Sequence, residues 1–414
     1  MEFGLLLLAF IFCFFMTWGV GANDLANIMS TTMGSKAITV RQAIIIAFVF
    51  EFAGALLGGS NVTETMRDGI INTNILLDQP LILIEGMLGV LLACTIWMNL
   101  ASYVGVPVSI TNALVGSMVG FGSIVLGPNA VHWQQVYHIA LSWLTSPLIS
   151  GIMGYILFIS IQQAIFVQRD PLEKAKWYVP IYLLLVGSIL SFITVFKGLH
   201  HFNVQLNIKQ NLAVCLATSI SLSLIGVICI RHIPEPRLLN RRDRFAQVER
   251  HFAVLMGLTA CAMVFAHGSN DVALAVAPLT IIYNLVATTQ PIGTDNYPTW
   301  IILLGCAGVI LGFLIHGRKV IETVGSSITA LTPSRAFAAT LAAATTVVMA
   351  TSTGIPVSAT QTLVGAVLGV GLARGIGALN LIVIRNIFTS WILTLPAASL
   401  LTILSYFMLH ALLG

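Results

Sequence analysis

Two short polar stretches interrupt hydrophobic runs of this chain, and each contains an Asn-Asp pair. The stretch "GANDLANI" covers residues 21–28, and "GSNDVALA" covers residues 268–275. A carboxylate in hydrocarbon needs a counter-charge or hydrogen-bond donors, and no Lys or Arg is near Asp24 or Asp271 in sequence. A bound cation, a proton, or hydroxyl and amide groups could fill this need. The structural alternative is a helix cap at a membrane interface, because Asn and Asp are good capping residues.

A second duplicated motif predicts helix starts. The sequences "PVSIT" at 107–111 and "PVSAT" at 356–360 each precede an apolar run. A Pro at a helix start with Ser and Thr beside it is typical of a helix N-terminus. The unpaired N–H groups and the dipole of such an end can hold an anion without Lys or Arg. The alternative is that these hydroxyls only join helices in lipid. The hydroxyls that would line an oxyanion site belong to Ser109, Thr111, Ser358 and Thr360.

The two motifs together indicate a site for a protonated oxyanion and a cation. Phosphate at neutral pH keeps a proton and can donate a hydrogen bond to Asp24 or Asp271. Sulfate has no such proton, and a bare carboxylate would repel it. Carboxylate, amide and hydroxyl oxygens are also hard ligands, so Asn23, Asp24, Asn270 and Asp271 could hold Na⁺. The residues leave open whether Asp24 contacts the phosphate or the coupling cation.

The elements that must position these residues are membrane-spanning helices. The chain is 57% hydrophobic and only 8% charged, with a mean hydropathy of +0.95, whereas an average soluble domain has about 25% charged residues. We therefore predict an all-α polytopic membrane protein with about twelve spans, some of them broken or hairpin helices. The predicted spans start near residues 3, 40, 81, 107, 134, 179, 210, 251, 299, 336, 356 and 386. Those at 107, 336 and 356 are interrupted by Gly, Pro, Ser and Thr.

Charge asymmetry predicts the orientation of the chain in a cell membrane. Residues 231–250 form a polar segment rich in arginine, and short basic loops stay in the cytoplasm. Twelve spans threaded from this cytoplasmic loop place both termini outside. All but three of the 19 Lys and Arg residues then lie inside, the exceptions being Arg67, Lys197 and Lys209.

The duplicated motifs define two internal repeats. The Asn-Asp stretches, the "PVS" stretches and the dipeptide "SW" at 142–143 and 390–391 all recur at a spacing of about 250 residues. We assign residues 1–167 to the first repeat, 251–414 to the second, and 168–250 to two linking spans. Seven spans separate the starts of the two repeats, and because seven is odd, the repeats are inverted. This architecture is typical of secondary transporters that work by alternating access.

A further acidic residue, Glu51, lies in the middle of the apolar run "AFVFEFAGALLGG". An ionisable residue inside a span indicates function by default, although a snorkelling or protonated residue in a helix contact is the alternative. We assign the coupling cation, Na⁺ or H⁺, to Asn23, Asn27, Glu51 and Asn270. The sequence has no P-loop, no nucleophile–base pair and no metal-ligand spacing, which argues against an ATP-driven pump and an enzyme. An ion channel would favour rings of charge.

At these residues the sequence resembles the PiT family of inorganic phosphate transporters. The resemblance covers nearly the whole chain and includes "GANDLAN", "ITVRQA", "FEFAGALLGG", "VTETMRDGI", "GSNDVALAVAPL", "LTPSRAF" and both "PVS" motifs. It implies a cation-coupled phosphate symporter with inverted repeats, usually a homodimer, with lipid but no nucleic acid as a partner. It also implies that both Asn-Asp pairs belong to the transport site, that the four hydroxyls bind phosphate and that Glu51 matters for transport.

This sequence departs from the family pattern at four positions. Leu274 replaces a second Asn of the later Asn-Asp motif, and Asn112 and Gln361 stand where the family's "PVS" motifs end in His. Thr340 aligns with a Glu found in many sodium-coupled members. These changes leave the predicted anion site intact but remove titratable and cation-binding groups. They therefore leave both Na⁺ and H⁺ open as the coupling ion, and also a permease for another oxyanion such as sulfate.

Overall fold

The computed structural model of the protein describes residues 2–58, 69–71, 80–193, 207–233, 241–288 and 298–413. Within these ranges the chain is helical apart from short connections and one isolated β-bridge between Ile71 and Val131. The predicted all-α class is therefore confirmed. Apolar segments form helices in lipid because a helix satisfies its own backbone hydrogen bonds. Arg67 and Lys197, which were predicted on the exterior, lie outside the described residues, as do residues 234–240 of the basic segment.

The same order of elements occurs in the first and second halves of the chain. The first half contains α1 (Glu2–Val20), α2 (Ala26–Gly34), α3 (Val40–Gly58), α4 (Pro80–Val104), α5 (Ile110–Phe121) and α6 (Trp133–Ile161). Two linking helices follow, α7 (Pro171–Ile193) and α8 (Ile208–Arg231). The second half contains α9 (Arg241–His267), α10 (Ala273–Tyr283), α11 (Thr299–His316), α12 (Arg318–Ser327), α13 (Pro333–Ser352), α14 (Ala359–Ala373) and α15 (Leu381–Leu413).

A single π-helical turn joins α1 to α2, and another joins α9 to α10. These turns are Gly21–Leu25 and Gly268–Val272, and each contains one Asn-Asp pair. A π turn inserted in a helix re-aims the side chains around it and is frequent at functional sites. The internal repeat seen in the sequence therefore has a counterpart in local structure. The inversion of the two halves relative to a membrane stays a prediction.

Within the described residues, eight helices are long and apolar enough to cross a membrane. A helix includes, or begins within three residues of, each of the twelve predicted starts, but α5 has 12 residues and α14 has 15. With a rise of 1.5 Å per residue these two helices extend about 18 and 22 Å, short of a hydrocarbon core of about 30 Å. The helices α7 and α13 are also not among the eight. The count of twelve spans stays a prediction.

The polar segment predicted as a loop at 231–250 is helical from Arg241 onward, which corrects that expectation. Arg, Glu, Gln and Ala all favour helices, so these charged residues extend α9 by several turns. The predicted boundary at 250/251 therefore falls inside α9. Asp170 caps the start of the neighbouring helix α7 by accepting from Leu172 N at 3.2 Å, and it also pairs with Arg244 of α9 at 3.0 Å.

Helices of the two halves pack against each other in a reciprocal way. The helix α1 packs on α11 and α9 packs on α3, while α5 contacts α15 and α14 contacts α6. Gly21 lies against the backbone of Val309, and Gly268 lies against the backbone of Glu51, so close that a Cβ at either glycine would overlap a carbonyl oxygen. Small residues permit such close helix contacts in membranes. Each π turn is thereby held against a helix of the other half.

Candidate functional site

Both Asn-Asp pairs are buried in the protein interior. Asn23 and Asn270 are 0% exposed, and Asp24 and Asp271 are 1% exposed. The two carboxylates are close enough for their charges to interact. The two pairs therefore lie close together between the two halves of the chain. Because these side chains are removed from solvent, every polar atom in them needs a partner in the protein or a ligand.

The Asp24 carboxylate joins the starts of the two short helices. Its Oδ2 accepts from the Ile110 backbone N at 3.3 Å, and its Oδ1 accepts from the Thr360 hydroxyl at 2.5 Å. Ile110 begins α5, and Thr360 lies in the first turn of α14. A negative charge is favourable at a helix N-terminus, where N–H groups are unpaired and the dipole is positive. In this structure Asp24 itself occupies a position suited to an anion.

The Asn side chains hold the extended segments that precede the two short helices. Asn23 Oδ1 accepts from Val108 N at 2.9 Å, and its Nδ2 donates to Val106 O at 3.0 Å. Asn270 Nδ2 donates to Val357 O at 2.8 Å. The same carbonyl accepts from the Thr111 hydroxyl at 3.2 Å. Val357 O is therefore a contact between the halves, since Thr111 belongs to the first.

The serines of both "PVS" motifs are N-caps. Ser109 Oγ accepts from Asn112 N at 3.3 Å, and Ser358 Oγ accepts from Gln361 N at 3.1 Å. This confirms the helix starts predicted from the two motifs. Each cap satisfies one of the unpaired first-turn N–H groups and leaves its own hydroxyl hydrogen able to reach a ligand. All four predicted hydroxyl groups are buried at the same two helix starts.

Glu51 contacts His267, a residue that its sequence pattern did not predict as part of the site. His267 Nδ1 lies 2.7 Å from Glu51 Oε1, and His267 Nε2 lies 3.1 Å from Asp271 Oδ2. All three side chains are at most 1% exposed. Its position in the sequence could have identified His267, because this residue is inside an apolar helix and one turn before Asp271, on the same helix face. The contact with Glu51 of α3 depends on tertiary packing.

Several buried polar atoms at this site have no hydrogen-bond partner within the described residues. They include Asn27 Oδ1 and Nδ2, Glu51 Oε2 and Asn270 Oδ1. Asn27 lies three residues after Asp24, so the two side chains share a helix face. Buried polar atoms are almost always hydrogen-bonded in proteins, and their concentration here marks a place for ligand atoms. The amide and carboxylate oxygens fit a hard cation such as Na⁺, and the amide N–H groups fit an oxyanion.

The charges of the site are unbalanced in favour of a bound cation or proton. It contains the carboxylates of Asp24, Glu51 and Asp271 and the imidazole of His267, and within the described residues no Lys or Arg pairs with any of the three. Even a protonated imidazole would leave an excess of negative charge. A buried charge without compensation is costly. The described residues include no cluster of His, Cys, Asp and Glu arranged to hold a metal ion.

Known proteins resemble this chain over nearly its whole length. The model of the phosphate transporter family matches residues 20–402. A Haemophilus influenzae protein named "Putative phosphate permease" is 46% identical over 97% of this chain and 95% of its own length. The chloroplastic inorganic phosphate transporter 2-1 of Arabidopsis thaliana is 34% identical over 95% of this chain and 70% of its own length. A solved structure of a sodium-dependent phosphate transporter is 35% identical with a TM-score of 0.88, covering 99% of this chain and 100% of that one.

Proposed function

Because the chain belongs to the phosphate transporter family, we propose that it is a secondary symporter that carries inorganic phosphate across the membrane together with Na⁺ or H⁺. The observation that carries this proposal is the position of Asp24. Its carboxylate bridges the starts of α5 and α14 and lies beside the cluster of Glu51, His267 and Asp271. A site for an anion and a site for a cation are therefore adjacent.

In the proposed substrate complex, phosphate lies between the starts of α5 and α14. The Thr111 and Thr360 hydroxyls exchange their protein acceptors, Val357 O and Asp24, for phosphate oxygens. The first-turn N–H groups and the helix dipoles stabilise the anion. Asp24 accepts a hydrogen bond from the phosphate's own proton, a contact that sulfate cannot make. This contact distinguishes the proposal from the alternative of a sulfate permease.

The coupling ion is proposed to bind at the cluster of Glu51, His267 and Asp271, with Asn27 and the Asn side chains nearby. Either a proton on this cluster or a Na⁺ ion among its oxygens would offset the excess negative charge. Phosphate and the cation would then each lower the free energy needed to place the other ligand in a buried site. This mutual stabilisation is a coupling free energy between two ligands, and it is reciprocal.

Alternating access is proposed to move the two halves relative to each other around this site. The contacts at Val357 O and between Asp24 and Thr360 join the halves where the ligands would bind. A substrate that replaces them changes the contact between the halves directly. The same proposal includes the inverted arrangement of the two halves, a cytoplasmic position for the basic segment, and the homodimer that the family resemblance implies.

The test is uptake of labelled phosphate into proteoliposomes under an inward Na⁺ gradient and, separately, an inward H⁺ gradient. We expect uptake that saturates, depends on one of these gradients, and is lost in Asp24→Asn. Asp243→Asn, the same change at an exposed position of α9, serves as the matched control and should retain uptake. Excess unlabelled phosphate should compete, whereas sulfate should not.

Different outcomes separate the alternatives. Uptake driven by Na⁺ identifies sodium as the coupling ion, and uptake driven only by H⁺ identifies the proton. Flux that does not saturate and ignores both gradients would indicate a channel. Absence of phosphate uptake under both gradients, with sulfate uptake present, would replace this proposal with the sulfate permease.

A further inference from the structure

Two arginines at one end of α13 converge on a single backbone oxygen. Arg335 Nη1 donates to Ala330 O at 3.0 Å, and Arg374 Nη1 donates to the same oxygen at 3.2 Å. These distances hold the two nitrogens within about 6 Å of each other, well inside the Debye length of about 8 Å at physiological ionic strength. Arg374 also donates to the Thr329 hydroxyl at 2.9 Å. Both guanidinium groups keep further N–H donors.

Among the described residues, no direct ion pair neutralises the positive charge of these two arginines. The nearby Glu249 carboxylate accepts from Ser334 N and from the Ser334 hydroxyl, both at 2.8 Å. Within the described ranges, no carboxylate forms an ion pair with Arg335 or Arg374. Partial burial and the charge of Arg374 lower the pKa of Arg335, an effect that Glu249 partly offsets. Arg374 is exposed, so an anion can approach from solvent.

The contact between α13 and α2 connects the region of the arginine pair to the region of the candidate transport site. The helix α2 starts directly after the first π turn and contacts α13, where the Thr31 and Thr340 hydroxyls are 3.0 Å apart. Arg335 precedes Thr340 by five residues, which is about 7.5 Å along the helix axis. The pair is therefore outside the buried site, at the end of a helix that contacts α2.

We propose that Arg335 and Arg374 form a second binding site, for a phosphate group, at the end of α13. Guanidinium groups recognise phosphate oxygens through paired N–H donors. Two such groups, already oriented by the Ala330 carbonyl, present donors and charge to one anion. The group belongs either to free phosphate entering or leaving the transporter or to the head group of an anionic lipid. Only the first source rests on the proposed function.

A purely structural role for the arginines predicts different behaviour. Arg374 follows the last residue of α14 and hydrogen-bonds to Thr329 and Ala330, which precede α13. In a purely structural role, Arg374 would do no more than connect the ends of these two helices. One guanidinium group is enough for that connection, and the second adds like charge. A structural pair would give the protein no response to phosphate groups beyond that of any other surface arginine.

The test measures thermal unfolding midpoints of the full-length protein in the Asp24→Asn background, which disables the proposed transport site. One arm adds inorganic phosphate in neutral detergent, and the other compares nanodiscs of phosphatidylcholine with nanodiscs containing phosphatidylglycerol. We expect the midpoint to rise in at least one arm and Arg374→Gln to abolish that rise. Arg385→Gln, at an exposed position of α15, is the matched control and should retain it.

The two arms identify the source of the phosphate group. A rise with inorganic phosphate alone assigns the site to the substrate, and sulfate should then act equally, because arginines need no proton from the anion. A rise with phosphatidylglycerol alone assigns it to a lipid.

Arg374→Lys should retain part of the response, which separates lost charge from misfolding. Equal behaviour of Arg374→Gln and Arg385→Gln in both arms would overturn the proposal. Failure of uptake by the wild type would refute symport but would not affect this measurement.

Discussion

The contact between Glu51 and His267 gives the most direct prediction of a measurable energy. Glu51→Gln replaces a fully buried carboxylate that lies 2.7 Å from His267 Nδ1. Removing one partner of a buried pair typically costs about 3–5 kcal/mol. His267 keeps Asp271 at 3.1 Å, so we take the lower end, about 3 kcal/mol. The free energy of unfolding should therefore fall by about 3 kcal/mol, and cation-driven uptake should be lost if the pair acts in coupling.

A double-mutant cycle separates this pairing from general damage. Glu51→Gln, His267→Gln and the double variant are compared with wild type by the free energy of unfolding in detergent and by phosphate uptake. Each single variant leaves a buried polar group without its partner, whereas the double variant removes both. We expect the double variant to be more stable than the sum of the single effects predicts, with an interaction energy of about 2–3 kcal/mol.

Additive single effects would refute this reasoning. Contributions that sum to within about 0.5 kcal/mol mean that the two side chains do not interact energetically, whatever their distance. Glu322→Gln is the matched control, because Glu322 pairs with Arg318 at 2.9 Å on the surface, with side chains 62% and 90% exposed. Exposed pairs contribute about 0–1 kcal/mol, so this variant should keep both stability and uptake.

Two further substitutions test the geometry of the site. Thr360→Val removes the hydroxyl that donates to Asp24 and that is proposed to donate to a phosphate oxygen in the substrate complex. Because a hydrogen bond to a charged group contributes about 1.5–3 kcal/mol, the KM of uptake for phosphate should rise at least tenfold. Thr345→Val, whose hydroxyl donates to a backbone carbonyl of its own helix, should leave KM unchanged; equal effects would contradict the assigned role. Gly268→Ala places a Cβ against a backbone carbonyl of α3 and should destabilise the protein by about 1–3 kcal/mol, measured by thermal unfolding. Gly377→Ala, where space is open, should not, and equal midpoints would show that the close helix contact is dispensable.

Local sequence rules predicted the starts of the two short helices correctly. Pro, Ser and Thr at 107–111 and 356–360 indicate helix N-termini, and Ser109 and Ser358 are indeed N-caps. The motif works because capping depends on residues within one helical turn. Local composition also predicted the all-α class, since long apolar runs in lipid must be helical.

Segment boundaries were less predictable because polarity and helicity are separate properties. The charged residues from Arg241 to Arg250 were assigned to a loop, yet they begin α9. Arg, Glu and Gln favour helix formation as strongly as most apolar residues. Hydropathy alone therefore marks where a helix can leave the membrane, and it does not mark where the helix ends.

The largest difference between prediction and structure concerns the equivalence of the two Asn-Asp pairs. A sequence repeat predicts similar roles, but Val20 precedes the first motif where His267 precedes the second. Asp24 accepts from a backbone N–H and a hydroxyl at two helix starts, which is the environment of an anion site. Asp271 instead accepts from Asn270 and lies beside His267, which also contacts Glu51. This asymmetry supports dividing the roles that the sequence left open, with Asp24 facing phosphate and Asp271 facing the coupling ion. The sequence could not reveal it, because Thr360 and Glu51 reach these residues only through packing of one half against the other.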